Sequence, residues 1–334
     1  MPVVTVEPLV DAKDVAAGFA LWNDEHPAFY IDDRYVDRTV YAPTDVVAGT
    51  AWGVRDGHDL VGFAFAKRLT NEIPGYAGPE TGWISLLALR DDRVHAGEEL
   101  LATATNDLAD RGVERIHVGK DVQHLLAGLP ARLADRYHSV LSASGYERGE
   151  SVYDVGRDIT AFDRPPRVAA TLAADEVVVR RLDRRDTSAL GSLLADQFPG
   201  RWQYGGDRAR RIPGGIEAYW GVWKAGELVG FARTSRCDGP VPRSQLTFGD
   251  RVADRYCGLG PIGVHEDARG NGFGLALLSR AIELLRDDGY PYMIIDWTTI
   301  LAYYGKLGFE PILEYVGYTN ESAAASPGSR RHDT

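Results

Sequence analysis

The sequence predicts an α/β protein made of two tandem copies of one domain, and three observations carry that prediction. Residues 259–264 form an apolar run, a glycine-rich stretch follows as far as Gly274, and a helical repeat comes next, so this part reads as strand, loop, helix. The words Trp52-Gly53-Val54 and Leu60-Val61-Gly62-Phe63-Ala64 recur 168 positions later as Trp220-Gly221-Val222 and Leu228-Val229-Gly230-Phe231-Ala232. Gly97, Leu100, Leu101, Ala104, Leu108, Asp110 and Gly112 answer Gly274, Leu277, Leu278, Ala281, Leu285, Asp287 and Gly289 at an offset of 177, and Gly145-Tyr146 answers Gly308-Phe309 at 163. Repetition at fixed spacing marks duplication of a whole domain.

Taken in order, residues 3–9 read as a strand and 11–25 as an amphipathic helix with Asp11 at its N-cap. The repeated words flank turn residues, Asp56-Gly57 in the first copy, and predict a hairpin. The two later offsets differ by fourteen, so the first copy carries an insertion around residues 121–130, expected as a loop. Residues 163–176, with Pro165-Pro166 and an alanine-rich stretch, read as a linker. The second copy opens with a strand over 177–182 and a helix over 188–197, then a loop over 198–206 rich in breakers and aromatics. After the glycine loop, Leu275, Leu278, Ile282 and Leu285 fall on one helical face, and Gly289 stands where a left-handed C-terminal cap belongs. Residues 293–297 predict a buried strand and 302–309 a short helix stopping at Gly308; residues 321–334 are small, polar and unpatterned, and are expected to be mobile. The domains are therefore drawn at 1–162 and 177–320.

Composition bounds the function. A length of 334 residues suits two domains, and 44% hydrophobic with 25% charged residues is ordinary for a soluble globular protein. No apolar run approaches a membrane span and the first residues lack a signal peptide's pattern, so a cytoplasmic protein is expected. Cys237 and Cys257 are too few for a disulfide framework and have no metal-ligand spacing, so no metal is expected. A net charge of −11 argues against a nucleic-acid partner and suits a cationic amine.

The loop from Val264 to Gly274 carries the chemistry. Its geometry leaves backbone N–H groups aimed one way at a helix N-terminus, which holds a phosphate or pyrophosphate, and Arg269 adds a fixed charge. Even spacing of Gly270, Gly272 and Gly274 excludes the dinucleotide pattern G-x-G-x-x-G, and no Gly-Lys-Ser/Thr follows as in a Walker loop. What fits is R-x-x-G-x-G, here Arg269, Gly272 and Gly274, which resembles the acetyl-CoA pyrophosphate loop of the GNAT superfamily of N-acetyltransferases. Downstream, Tyr304, Lys306, Leu307, Gly308 and Phe309 resemble that family's Y-x-K-L-G-F.

The resemblance implies two GNAT folds, each a twisted mixed sheet flanked by helices, and acetyl-CoA as co-substrate. It implies that Ile262, Gly263, Val264, Arg269, Gly270, Asn271, Gly272, Phe273 and Gly274 hold the donor, with strand N–H groups serving as an oxyanion hole. Tyr304 matches the tyrosine that protonates the leaving thiolate, and a phenol is protonated at neutral pH. Asp296, at the end of an expected central parallel strand, is the candidate base or ammonium partner; Asp254, Glu217, His265 and Glu266 compete. In the first copy Asp92 and His95 stand where Arg269 and Gly272 would be, so residues 1–162 read as a degenerate domain.

The run from Ile295 to Thr299, Phe198-Pro199-Gly200-Arg201-Trp202 and the duplication are similar to tandem bacterial acetyltransferases of glucosamine and glucosaminides. Trp202, Tyr204 and Trp297 would then lie against a sugar. The reading is an N-acetyltransferase acting on a small-molecule primary amine as monomer or homodimer. A mycothiol-synthase-like enzyme and a non-catalytic CoA-responsive protein are the alternatives.

Overall fold

Ala225 and Gly226 take φ 49 and 84, the pair of positive values that lets a two-residue turn follow the twist of its strands, and Gly57, at φ 64, closes the matching hairpin of the first copy. Above these turns the repeated words pair identically: Trp52, Gly53 and Val54 face Ala64, Phe63 and Gly62, while Trp220, Gly221 and Val222 face Ala232, Phe231 and Gly230. The glycine inside each word makes room for two leucines. A Cβ on Gly53 would meet Leu60 at 2.8 Å and Leu9 at 2.9 Å, and one on Gly221 would meet Leu228 at 2.5 Å and Leu182 at 2.7 Å.

This computed structural model describes residues 5–41, 44, 46–239 and 247–321; Val3 and Val4 of the expected first strand and residues 322–334 of the expected tail lie outside them. Contacts divide the chain into unit 1, Met1–Glu72, Ala77–Val152 and Glu314–Thr334, and unit 2, Ile73–Tyr76 and Tyr153–Leu313.

Unit 1 contains β1 (Thr5–Pro8), α1 (Ala12–Glu25), α2 (Asp33–Val36), β2 (Val47–Asp56), β3 (Asp59–Leu69), β4 (Thr81–Leu89), α3 (Gly97–Asp110), β5 (Arg115–Val118), β6 (Leu129–Pro130), α4 (Ala131–Ala143) and the first part of β7 (Glu147–Asp158). Its sheet runs β1-β2-β3-β4-β5, with only β4 and β5 parallel, and is completed by the C-terminal part of β13 (Glu310–Asn320). Phe63 meets Gly18 of α1 while its neighbour Gly62 meets Leu100 of α3, so the two helices cover opposite faces. Asp11 stands at the N-cap of α1 but its side chain makes no capping bond.

Unit 2 contains α5 (Pro166–Leu172), β8 (Val177–Arg181), α6 (Thr187–Gln197), α7 (Arg201–Ala209), β9 (Tyr219–Lys224), β10 (Glu227–Arg236), β11 (Tyr256–Val264), α8 (Phe273–Asp287), β12 (Tyr292–Thr298) and α9 (Leu301–Gly305). Its sheet runs β8-β9-β10-β11-β12, with β11 and β12 parallel, and ends on residues 153–158 of β7. Ala232 packs with α8 on one face and Phe231 with α6 and α7 on the other. Each unit is thus a mixed sheet flanked by helices, as expected. No helix among the described residues is long and apolar enough to cross a membrane.

Helix α8 buries Leu275, Leu278, Ile282 and Leu285, each worth about 1.5–3 kcal/mol of transfer free energy. It ends as predicted. Gly289 takes φ 86, its N–H reaches Arg286 O and that of Tyr290 reaches Leu285 O. Gly112, also at φ 86, closes α3 in the same way, with Val113 N–H on Leu108 O.

Two expectations are corrected. Of residues 198–206, read as loop, 201–206 lie in helix α7 (Arg201–Ala209). Gly206 is not a breaker there but a contact, since a Cβ would lie 2.4 Å from Leu194 of α6. Within 163–176, read as linker, α5 buries Val168 in the core beneath α8. The insertion around 121–130 is a loop over 121–128, as expected, but a buried one: Asp121, Leu125, Leu126, Ala127 and Leu129 are buried, and Asp121 Oδ1 lies 3.4 Å from the Nζ of equally buried Lys67.

Candidate active site

After β11 the chain makes a single tight turn, Glu266–Ala268, and reaches α8 through Gly270 and Gly272, at φ 83 and 81. Those values favour glycine. The first bond inside α8 runs from Ala276 N–H to Gly272 O, which leaves the amides of Phe273, Gly274 and Leu275 directed out of the helix end. Gly272 also faces Thr171 of α5, and a Cβ on Gly274 would sit 2.3 Å from the Tyr303 hydroxyl. Arg269 is held by its Nε–H to Val264 O at 3.1 Å, and Asn271 bridges back to Ala268 O at 3.1 Å.

Beside this loop the sheet opens. Strands β11 and β12 pair only from Tyr256/Tyr292 to Gly258/Ile294, although β11 continues to Val264 and β12 to Thr298. A cavity of about 610 Å³ lies there, lined by Ile262, Gly263, Val264, Arg269, Gly270, Gly272, Phe273 and Gly274, and also by Trp202, Tyr303 and Tyr304. Asn271, Tyr204, Asp296 and Trp297 do not line it. Sequence reasoning missed Phe198, Arg167 and Ile300 as lining residues; Arg167 was hidden by the linker assignment. Together Arg167, Arg269 and Lys306 give the cavity three cationic side chains.

Tyr304 is 6% exposed, and burial first, then Tyr303 and the charge of Asp296, push its hydroxyl well above the ordinary 10. Burial pushes Tyr303 up to about 12. The influence of Asp296 on Tyr304 brings two of the predicted residues into one neighbourhood. Trp297 is held in the left-handed region, φ 50, at a bulge where two residues of β12 stand opposite Asp154, whose Oδ1 accepts the Trp297 N–H at 3.1 Å. Asp154, 6% exposed, was not anticipated because it lies in the last strand of the first copy. Trp202 packs on Phe198 and Phe231 at 5.4 and 6.0 Å between centroids, while Tyr204 accepts a bond from Arg208 at 3.0 Å. The competing carboxylates Asp254, Glu217 and Glu266 and the imidazole of His265 lie away from the cavity wall; His265 Nδ1 accepts the Asp267 N–H at 3.2 Å. Among the described residues no group of three or more His, Cys, Asp or Glu could hold a metal ion.

Unit 1 lacks this apparatus. Leu89 faces Gly62 as Val264 faces Gly230, so the two occupy one place in the repeat. The Leu89 N–H is spent on the Tyr137 hydroxyl at 3.2 Å and its carbonyl accepts from Arg136. Residues 91–96 are themselves a tight helical turn running into α3, so no left-handed glycine frees amides there, and Asp92 pairs with Arg93 at 2.7 Å. Phe309 N–H reaches Tyr304 O where Tyr146 N–H reaches Leu141 O, so leucine replaces the tyrosine.

Residues 187–309 match the family model described as the acetyltransferase (GNAT) family. No curated protein matches the chain in sequence. Among solved structures, the chain is similar to a GCN5-related glucosamine N-acetyltransferase region of a fungal multi-domain GH3 beta-N-acetylglucosaminidase, at 17% identity and TM-score 0.83, covering 96% of this chain and 38% of that one. The chain thus spans well under half of that fungal protein's length. A tandem GNAT protein from the clavulanic acid biosynthesis pathway matches at 18% identity and TM-score 0.66, covering 98% and 100% of the two chains. A GCN5-related N-acetyltransferase from Sphaerobacter thermophilus matches at 13% and 0.64, covering 95% of each. With the family segment lying inside unit 2, around the open strands and the glycine loop, this chain is an acyltransferase whose residues 187–309 match the GNAT family.

Proposed function

We propose that unit 2 moves the acetyl group of acetyl-CoA to the primary amine of a small molecule, an amino sugar such as glucosamine or a glucosaminide, while unit 1 has a structural part. One observation carries the reading: the outward amides of the glycine loop and the buried Tyr304 border the same cavity, beside the point where β11 and β12 separate. The pyrophosphate of the donor fits the amides of Phe273, Gly274 and Leu275 with Arg269 alongside. The pantetheine arm would run along the unpaired edge of β11 at Ile262–Val264.

The neutral amine attacks the thioester carbonyl, forming the C–N bond. Charge gathers on the carbonyl oxygen, within reach of β11 amides. Collapse breaks the C–S bond, and Tyr304 gives its proton to the departing thiolate; a hydroxyl held above 10 is present to do so throughout the neutral range. Asp296, whose charge Tyr304 feels, takes the proton released by the amine. The fold likeness to a fungal glucosamine N-acetyltransferase region and the cavity-lining Trp202 support the amino-sugar acceptor.

The test is CoA release from acetyl-CoA with glucosamine, glucosaminides, polyamines and cysteinyl amino sugars. A saturable rate with the sugars is expected. Turnover confined to polyamines would overturn the substrate class, and acetyl-CoA binding without release in any mixture would overturn acetyl transfer to these amines.

A further inference from the structure

Arg201 opens helix α7 immediately before Trp202, a cavity-lining residue. Its guanidinium carbon lies 5.0 Å from the centroid of the Trp297 ring and 5.9 Å from that of Tyr76. Tyr76 belongs to the short segment Ile73–Tyr76 that joins unit 2 although it comes from the first copy. The segment is fixed by backbone approach: a Cβ on Gly200 would fall 2.6 Å from Gly75 O, so only glycine lets the chains come this close. Thus one face of the Trp297 ring is covered by a cation.

Ring contacts leave an arginine's chemistry unfinished. A stacked guanidinium keeps its N–H donors in its own plane, directed past the rings and available for a planar acceptor. Other ring-stacked arginines of unit 2 spend those donors, Arg180 on Asp186, Arg255 on Asp238 and Arg208 on the Tyr204 hydroxyl, although the buried Nε of Arg233, over Tyr219, has no partner among the described residues. Arg201 has aromatic neighbours and, among the described residues, no ion pair or hydrogen bond. It is half-buried, next in sequence to the cavity-lining Trp202 though not itself in the cavity wall, and over the residue that follows Asp296.

We propose that Arg201 is the specificity residue for an anionic group on the acceptor, a carboxylate or phosphate carried on the same molecule as the attacked amine. The proposal rests on the acetyl-transfer reading above and narrows its substrate class from amino sugars in general to acidic ones. Tyr76 and Trp297 orient the fork; Arg201 reads the anion while Asp296 meets the amine, so the two ends of the acceptor are distinguished by charge.

The experiment compares kcat/KM for glucosamine, glucosamine 6-phosphate and muramic acid, in the full chain and in Arg201→Gln and Arg201→Lys. Wild type should favour one acidic acceptor over glucosamine, and whichever is favoured identifies phosphate or carboxylate. In Arg201→Gln that preference should fall by about 10- to 100-fold, the worth of a charge-assisted bond. Arg201→Lys, which keeps the charge without the fork, should fall between. A wild type that prefers glucosamine, or an acid preference unchanged in Arg201→Gln, overturns the proposal. Failure of the parent reading looks different: acetyl-CoA binds, yet no acceptor releases CoA, and both inferences fall together.

Discussion

The Tyr137 hydroxyl accepts the backbone N–H of Leu89 at 3.2 Å, and in doing so occupies in unit 1 the place that the thioester arm would take beside Val264 in unit 2. The same hydroxyl lies 2.8 Å from His26 Nε2, so a three-membered buried chain runs from Leu89 through Tyr137 to His26. Unit 1 thus differs from unit 2 at this place by added internal hydrogen bonds as much as by missing glycines.

Titration calorimetry should find one acetyl-CoA per chain. Arg269→Ala should weaken that binding by about tenfold or more, because a fixed charge beside the pyrophosphate is removed. Asp92→Ala should leave it unchanged. Two sites per chain, or equal losses from both substitutions, would contradict the division of labour.

Tyr304→Phe should lower kcat by about 100-fold while acetyl-CoA affinity holds, the signature of a lost proton donor. Because burial and Asp296 hold this hydroxyl above 10, no descending limb in the wild-type rate below about pH 10 should belong to it. A limb near neutrality that vanishes in Tyr304→Phe would refute the assignment.

His26 gives unit 1 a pH dependence. Burial, and then Arg136, lower its pKa from 6.5 to about 4. Between those values the unfolded chain binds a proton that the folded chain refuses, so stability falls as pH drops from 6.5 towards 4, at up to about 1.4 kcal/mol per pH unit. Thermal melts of wild type minus those of His26→Gln should isolate this slope, which should be absent above pH 7.

Lys67 and Asp121 are 1% and 0% exposed, and burial lowers the lysine to about 8 despite its partner. Lys67→Met alone should cost about 3–5 kcal/mol by stranding Asp121, whereas Lys67→Met with Asp121→Leu should cost far less than the two singles added. Additive losses in denaturant melts would mean the pair is not coupled.

Local chemistry made part of this legible. The α8 face, the Gly289 cap, the paired hairpins and the loop from Arg269 to Gly274 were readable because each depends on neighbours in sequence. What escaped depends on distant partners. Gly206 looks like a breaker until Leu194 is set against it, Pro165-Pro166 looks like a linker until Val168 is buried, and the burial of the loop at 121–128 shows only once Lys67 lies beneath Asp121. Asp154 carried no signal at all, since its use is to hold the amide of Trp297.

The exchange of final strands has a consequence for biosynthesis. Strand β5 of unit 1 finds its antiparallel neighbour only in residues 318–320 of β13, among the last of the described chain to leave the ribosome. Until they arrive, one edge of a nearly finished sheet stands open, with unpaired N–H and C=O groups that invite association. Completion of unit 1 must therefore wait for a strand made after unit 2, and a chain stopped after Leu313 is expected to aggregate, as light scattering during expression in a cell-free system would reveal.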